Sequence, residues 1–507
     1  MYLVTPSQMR EVEAAANQAG IRFDTMMENA GRGLSECILK FAQAHHFQSI
    51  VFLCGNGNNA GDCFVAARIL QSCLNVKIAM LFGNPKTDLS AEKFAQIRDI
   101  PILRDKKEII RAVQAADFVA DGVFGIGFHG QLPDEVREIF EFAKNMPCIA
   151  VDIPSGGNGE TGEIADGTLP CTQTVTFGAG KIGAQLPPLS HFCGETICVD
   201  IGVGTSFFDK YGNLSALTLS EIAAILPKRP PDSHKGTFGR LLCVCGSRNM
   251  PGAAVMSATA ALRCGVGTLC LASVPSTCDR LSFIAPEAMF LPLEMTEAGT
   301  ISADAVPDLL AYAKKCSAVL IGCGLGQGEN VQRLVHDLLI SLDCPIILDA
   351  DGLNALAGNI EWLHEVHAPI VLTPHPAEMG RLIGISAKEV QNNRKIVVSD
   401  FQKRFPNATV VLKGAGTLTA STHGITLNPT GGSGLSKGGS GDVLAGIIAS
   451  MTAQGVPSAQ SAAVGAFLHG YAGDLAAKDL SVTSMLPTDV IRMLPSVFLR
   501  IENIASI

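Results

Sequence analysis

Short apolar runs recur along this chain, and most of them stop at a cluster of glycine, asparagine, aspartate or proline. In the first part they are Ser49 to Leu53, Lys77 to Leu81, Phe118 to Asp121, Cys148 to Asp152 and Gln173 to Phe177. A second series starts at Arg240 to Gly246 and continues through Ala318 to Ile321, Pro345 to Leu348, Ile370 to Thr373 and Thr409 to Leu412. Stretches with helical spacing lie between them. Strands without a polar face, separated by helices, predict parallel sheets covered on both sides. Ligands in such sheets sit beyond the carboxyl ends of the strands, so the polar turns are the first candidates for chemistry.

A chain of 507 residues is too long for one core, since domains run to roughly 100–200 residues. Between Gly202 and Lys235 the periodicity lapses, and Pro227-Lys228-Arg229-Pro230-Pro231-Asp232 is stiff and polar. That stretch reads as a linker, with a boundary near residues 210 to 225. The expected organisation is therefore two three-layer α/β/α domains, 1–215 and 216–507.

Net charge is −9 with no basic run, which argues against nucleic acid and for small-molecule partners. Anionic ligands would then need local positive charge or backbone amides. The start, MYLVTPSQMR, lacks the layout of a secretory signal. The longest uncharged span, Val443 to Gly473, is interrupted at Gln454-Gly455-Val456-Pro457 and predicts two buried helices, not a membrane span. Sixteen scattered cysteines, several inside apolar strands and without a CxxC pair, suit reduced thiols in a cytoplasm.

Three polar turns stand out in the first half. Gly55-Asn56-Gly57-Asn58-Asn59-Ala60-Gly61-Asp62 is an anion-friendly turn into a helix; Asp121 to Gln131 and Val151-Asp152-Ile153-Pro154-Ser155-Gly156 follow two later strands. Separately each is an ordinary βα turn, with Asp152 capping its own. Together, hard oxygen donors from Asn59, Asp121 and Ser155 can surround a cation while Asp152 moves a proton.

GNGNNAGD, DGVFGIG and VDIPSG, in this order, resemble the NAD(P)H-hydrate epimerase family over about the first 210 residues. The resemblance implies a Rossmann-like fold and a potassium ion held by Asn59, Asp121 and Ser155. It also implies hydrate contacts from Asn58, Asn59, Ala60, Gly61, Asp62, Gly125, Ile126, Gly127, Phe128, His129, Gly130, Gln131 and Asp152. The reaction would interconvert the R and S hydrates at C6 of the damaged nicotinamide ring, with Asp152 as acid/base. Ala60 and Cys63 stand where the family has glycine, and a methyl at residue 60 is expected to crowd the ligand.

In the second half, Gly438-Gly439-Ser440-Gly441-Asp442 opens the apolar run Val443 to Met451 and reads as a glycine loop at the start of a buried helix. Such a loop turns consecutive N–H groups into one cavity, and the helix end adds partial positive charge, which suits a phosphate. Asp442 is then a cap, a catalytic carboxylate, or both, with its pKa lowered by the helix end. The turns Lys413-Gly414-Ala415-Gly416-Thr417 and Asn428-Pro429-Thr430-Gly431-Gly432 are expected to feed the same pocket.

HKGTFG at 234–239, GCGLG, LDADGLNAL, LTPHPAEM, KGAGT and GGSGD together resemble the ADP- or ATP-dependent NAD(P)H-hydrate dehydratases, which have the ribokinase-like fold. This covers residues from about 220 to 500. The family pattern places nucleotide at Lys413, Gly414, Ala415, Gly416, Thr417 and Gly441, and the hydrate at Ala253, Gly324, His375 and Asp442. His375, between two prolines, is a hydrate contact or a buried structural histidine. Asp349 and Asp351 bind magnesium or cap the next helix, with capping favoured for Asp351. Cys323 and Ala377 replace the usual proline and glycine, and Lys437 is a solvated loop residue or a phosphate contact.

The mechanism implied is phosphoryl transfer and then elimination. Asp442 orients or deprotonates the C6 hydroxyl, ADP with Mg2+ donates the phosphoryl group to leave AMP, loop amides hold the moving charge, and the ring nitrogen expels phosphate. A homo-oligomer is expected. The nearest rival is a small-alcohol kinase of hydroxymethylpyrimidine or pyridoxal type, which would release a stable phosphate ester. A non-catalytic nucleotide-binding protein is the other.

Overall fold

The computed structural model describes residues 1–212 and 214–505. The chain divides into two compact units, Met1–Thr218 and Leu219–Ile507.

The first unit starts with helix α1, Pro6–Gln18, whose entry is fixed by a reciprocal cap: Gln8 N donates to Thr5 Oγ1 at 3.1 Å and Thr5 N to Gln8 Oε1 at 2.9 Å. Helix α2, Phe23–His45, follows. The sheet is built from β1 (Ser49–Cys54), β2 (Asn75–Met80), β3 (Ile102–Leu103), β4 (Phe118–Gly122), β5 (Cys148–Val151), β6 (Gln173–Phe177) and β7 (Glu195–Val199). They pair in parallel in the order β3-β2-β1-β4-β5-β6-β7. Strand order reverses at β1, so the turn into helix α3, Asn58–Leu70, opens at the switch point where open α/β sheets hold ligands. Phe52, Phe64 and Phe118 are fully buried on one face and Phe140 on the other. Each contributes about 1.5–3 kcal/mol of burial.

The second unit has β8 (Arg240–Val244), β9 (Thr268–Ser273), β10 (Met289–Pro292), β11 (Ala318–Ile321), β12 (Ile346–Leu348), β13 (Ile370–Leu372), β14 (Ala408–Leu412), β15 (Leu418–Ser421) and β16 (Gly424–Leu427). Their order is β16-β15-β14-β13-β12-β11-β8-β9-β10. From β14 to β10 every pair is parallel, as expected. β14–β15 and β15–β16 are antiparallel, a hairpin extension that periodicity alone did not announce.

Helices α4, Pro251–Arg263, and α6, Ser440–Ala453, cover one face, with α5, Pro376–Ile383, between them in sequence and α7, Ser458–Leu480, after them. The uncharged span is indeed two buried helices, α6 and α7, broken by Gly455 at φ +92°. Among the described residues no helix is long and apolar enough to cross a membrane. A Cβ on Gly446 would lie 2.2 Å from the Ser257 carbonyl oxygen, so α4 and α6 touch backbone to backbone.

The presumed linker differs from expectation. Leu219–Ile225 is helical, and Arg229 stacks on the Phe238 ring at 3.9 Å while donating to the Gly265 carbonyl. The prolines stiffen a segment that is fastened to the second unit rather than free.

Candidate active sites

In the first unit, β4 delivers Asp121 to the carboxyl edge of the sheet. It is fully buried and accepts from Ser155 Oγ at 2.6 Å, Ser155 N at 2.8 Å and Val123 N at 3.3 Å. No basic side chain pairs with it among the described residues. Burial pushes its pKa up to about 6, against the pull of the Ser155 bonds. Ser155 Oγ is also 3.1 Å from the Phe124 carbonyl, and Asn59 Nδ2 donates to Phe124 O at 3.2 Å and Val151 O at 3.1 Å. Asn59, Asp121 and Ser155 therefore meet in one oxygen-rich spot.

Asp152 lies in the left-handed region at φ +72°, a strained conformation for a residue with a side chain. Its Oδ1 is bound by Lys181 Nζ, by Thr176 Oγ1 at 3.0 Å and by Phe177 N at 3.4 Å. It does not cap the 154–156 turn. Lys181 is itself buried and held by Thr176 Oγ1 at 3.0 Å, Ala179 O at 3.1 Å and Phe177 O at 3.2 Å.

The expected hydrate contacts divide. Asn58 is exposed and accepts from Thr87 at 2.6 Å, Asn59 and Asp62 are partly exposed, and Gly125 to Gln131 form an open loop whose Phe128 packs against the Phe124 ring, tilted, at 5.0 Å between centroids. Ala60 and Gly61 are instead buried, and Ala60 packs into the core. Cys63 is likewise buried, its sulfur over Gly122, where a Cβ would lie 2.2 Å away.

In the second unit the two glycine-rich turns meet as expected. A Cβ on Gly441 would lie 3.2 Å from Lys413 Nζ and 3.6 Å from Asp349 Oδ2. Lys413 pairs with Asp349 Oδ1 at 3.0 Å and with Glu378 Oε2 at 3.7 Å, and Thr373 Oγ1 donates to Asp349 Oδ1 at 2.7 Å. Burial pulls the lysine's pKa down, but the two carboxylates outweigh it and raise it.

Helix α6 is capped by Gly439 in the left-handed region with no side-chain cap bond, so Asp442 is not a capping residue. Its pKa is also not lowered by the helix end. Burial and the neighbouring Asp349 carboxylate push it up to about 6. Cys323, Asp349 and Asp442 bring their ligand atoms within 4.8 Å of one another, a set able to hold a metal ion.

Ala253 and Gly324 are brought together: a Cβ on Gly324 would meet that of Ala253 at 2.8 Å. Gly324 is buried, which leaves little but backbone for a ligand to reach. His375 is exposed rather than a core histidine. Its Nδ1 accepts from Ala377 N and Glu378 N at 3.1 Å each, so the ring caps α5, and Glu378 returns the bond to His375 N at 2.7 Å. Gly414, Ala415, Gly416 and Thr417 stay open at the surface end of the turn.

Asp351 caps nothing with its Oδ2, which accepts from Gly326 N at 2.8 Å and so clamps the GCGLG loop. Lys437 neither floats in solvent nor points at the loop: its Nζ is tied to Thr483 O and Met485 O, both at 2.6 Å. The 428–432 turn is pinned to α7 through Asn428 Nδ2 to Ala466 O at 3.0 Å and Thr430 Oγ1 to Phe467 O at 3.0 Å.

Several supports have no motif. Arg394 braces the KGAGT turn by donating to Ala415 O at 2.9 Å, Leu412 O at 3.0 Å and Gly416 O at 3.1 Å. Lys181 and Thr176 are of the same kind, while Thr373 and Glu378 lie within LTPHPAEM, where no role was read for them. The only sequence signal was weak: a lysine after a glycine-rich strand end at Phe177-Gly178-Ala179-Gly180.

Fold and sites together define a two-unit α/β protein whose polar residues gather at the carboxyl ends of a parallel sheet in each unit. The family described as NAD(P)H-hydrate dehydratase matches residues 241–496, and that described as YjeF-related protein N-terminus matches 24–183. The bifunctional NAD(P)H-hydrate repair enzyme Nnr of Moorella thermoacetica is 36% identical, covering 99% of this chain and 98% of its own length. The Nnr of Thermofilum pendens is 34% identical, with 95% and 93% covered. Among solved structures, the ADP/ATP-dependent NAD(P)H-hydrate dehydratase of Bacillus subtilis, co-crystallised with ATP and Mg2+, is 32% identical over 57% of this chain and 99% of its own, with a TM-score of 0.49. This chain belongs to the bifunctional NAD(P)H-hydrate repair enzyme family.

Proposed function

We propose that the chain repairs hydrated NAD(P)H in two steps, each in its own domain. The first, residues 1–215, epimerises the R and S hydrates at C6. The second, 216–507, dehydrates the S hydrate to NAD(P)H at the expense of ADP, releasing AMP and phosphate. A stereospecific dehydratase strands the other epimer unless something converts it, which is the chemical reason for joining the two.

The observation that carries the second reading is the convergence of Lys413, Gly441 and Asp442. The lysine and the open loop amides accept nucleotide phosphates, while Asp442, with a pKa near 6 and so ionised at neutral pH, accepts the C6 hydroxyl proton as the phosphoryl group arrives. Lys413, Gly414, Ala415, Gly416, Thr417 and Gly441 are the nucleotide contacts; Ala253, Gly324, His375 and Asp442 are the hydrate contacts. Magnesium would be held by Asp349 and Asp442, and would supply positive charge to the nucleotide's phosphates.

In the first domain Asp152 is the acid/base residue. A potassium ion fits Asn59, Asp121 and Ser155 because Asp121 is a buried carboxylate without a countercharge. Bound there, the ion would supply a fixed positive charge beside the hydrate.

The test is to incubate the full chain with mixed hydrates and ADP or ATP, following each epimer and the absorbance of reduced nicotinamide. Both epimers should disappear, and phosphate should appear in step with NAD(P)H. Accumulation of a stable phosphate ester would instead make the second domain a kinase.

A further inference from the structure

The first unit gathers more carboxylates than it balances. Asp152 from the end of β5, Asp62 from the first turns of α3 and Glu13 from α1 all feel the buried ammonium of Lys181. Lys181, Thr176 and Phe177 N all bind Oδ1 of Asp152, and among the described residues nothing binds its Oδ2. One oxygen is anchored and the other is left for a ligand.

Asp62 is placed differently. It lies three and four residues beyond Asn59 and Asn58, on the helix face that carries both. It stays partly exposed while Ala60, Gly61 and Cys63 around it are buried. Its carboxyl group has no hydrogen bond or ion pair to any described residue. The charged groups that face it are Asp152, Glu13 and Lys181, and Lys181 is already committed to Asp152. Glu13 has Arg10 near it as well. A carboxyl bound by an ammonium, beside a second one left without a partner, is an arrangement that suits a base and an acid.

Resting on the epimerase reading above, we propose that Asp62 is the general acid of the epimerisation and that Lys181 is the positioning residue that keeps Asp152 as its base. Asp62 gives its proton to the C6 hydroxyl. The C6–O bond breaks with its electron pair on oxygen, water leaves, and the ring nitrogen's lone pair forms the N1=C6 iminium. A water molecule adds to C6 from the other face, the π pair returns to nitrogen, and Asp152 Oδ2 takes the proton from that water. Asp62 ends one proton short and Asp152 one proton up, and exchange with solvent resets both. Burial and the Asp152 and Glu13 charges raise the Asp62 pKa well above the ordinary carboxylate value, in keeping with the acid's role.

The experiment uses the full chain without nucleotide, so that dehydration is silent, and one purified epimer. kcat/KM for wild type should fall at the alkaline side of its pH profile as Asp62 is ionised. Asp62→Asn should lose about 100-fold or more, a typical contribution from one acid, and its residual activity should lack the alkaline limb. Lys181→Met, which frees Asp152 Oδ1, should lower kcat while KM stays within about twofold, and Lys181→Arg should restore kcat in part. In 18O water each turnover should place one solvent oxygen at C6.

Undiminished activity with an unchanged alkaline limb in Asp62→Asn, or turnover without oxygen exchange, overturns the proposal. A wild-type chain that does not interconvert the epimers at all overturns the epimerase reading and this inference with it, an outcome distinct from either.

Discussion

Lys413 reaches the Asp349 carboxylate at 3.0 Å across the carboxyl edge of the second sheet, and the carboxylate end of that pair is almost completely shut off from water. Taking away the lysine leaves a buried charge with only the Thr373 hydroxyl and the Cys323 thiol to answer it. Lys413→Met should therefore destabilise the second unit by about 3 kcal/mol, the lower end of what breaking a buried pair costs. The single tryptophan, Trp362, lies in that unit, so a urea titration followed by its fluorescence checks the unit by itself.

Asp442→Asn keeps shape and loop but removes the proton acceptor. Dehydration of the S hydrate should fall about 100-fold or more while nucleotide affinity stays within about twofold of wild type, because positioning and loop amides remain. Stopped assays for phosphate, beside equilibrium binding of ADP, separate the two effects.

The same residue sets a pH limit. Its folded pKa is raised from 3.8 to about 6, so the carboxylate form that accepts a proton is lost as pH falls through that value. Dehydration should fall about tenfold per pH unit below 6 and level off above it. The residual rate of Asp442→Asn should show no such limb.

Potassium should stabilise the first unit by occupying the oxygen cluster, raising its melting temperature as a ligand that binds only the folded state does. Asp121→Asn should abolish that rise. Calorimetry of wild type and variant in potassium and in a large organic cation, at equal ionic strength, reads the difference.

Gly446→Ala places a methyl where the Ser257 carbonyl already stands. It should cost the second unit about 1–3 kcal/mol through forced separation of α4 and α6, seen again in the urea midpoint of Trp362 fluorescence.

Much of this was legible in the residues. Parallel strands announced themselves because both faces are buried and their side chains are apolar throughout, and the break between α6 and α7 was written in Gly455 and Pro457. The hairpin β15–β16 was not, because Leu418 to Leu427 mixes threonines and short polar residues with few apolar ones. The site was read in part. Glycine-rich strand ends told where Lys413 and Asp442 would be. They could not tell that Asp442 lies beside a second carboxylate, which reversed its expected pKa, or that the methyl of Ala60 turns inward. Arg394 and Lys181 act through distant backbone and buried contacts that leave no local pattern.

The Gly446 and Ser257 contact bears on how the second domain works. With hydrogen as the only spacer, neither helix has room to glide, tilt or rotate past its neighbour. The carboxylate on α6 is thus a stationary reference point, and the travel needed to bring alcohol and phosphate together falls to the two ligands and to the open turn at 414–417.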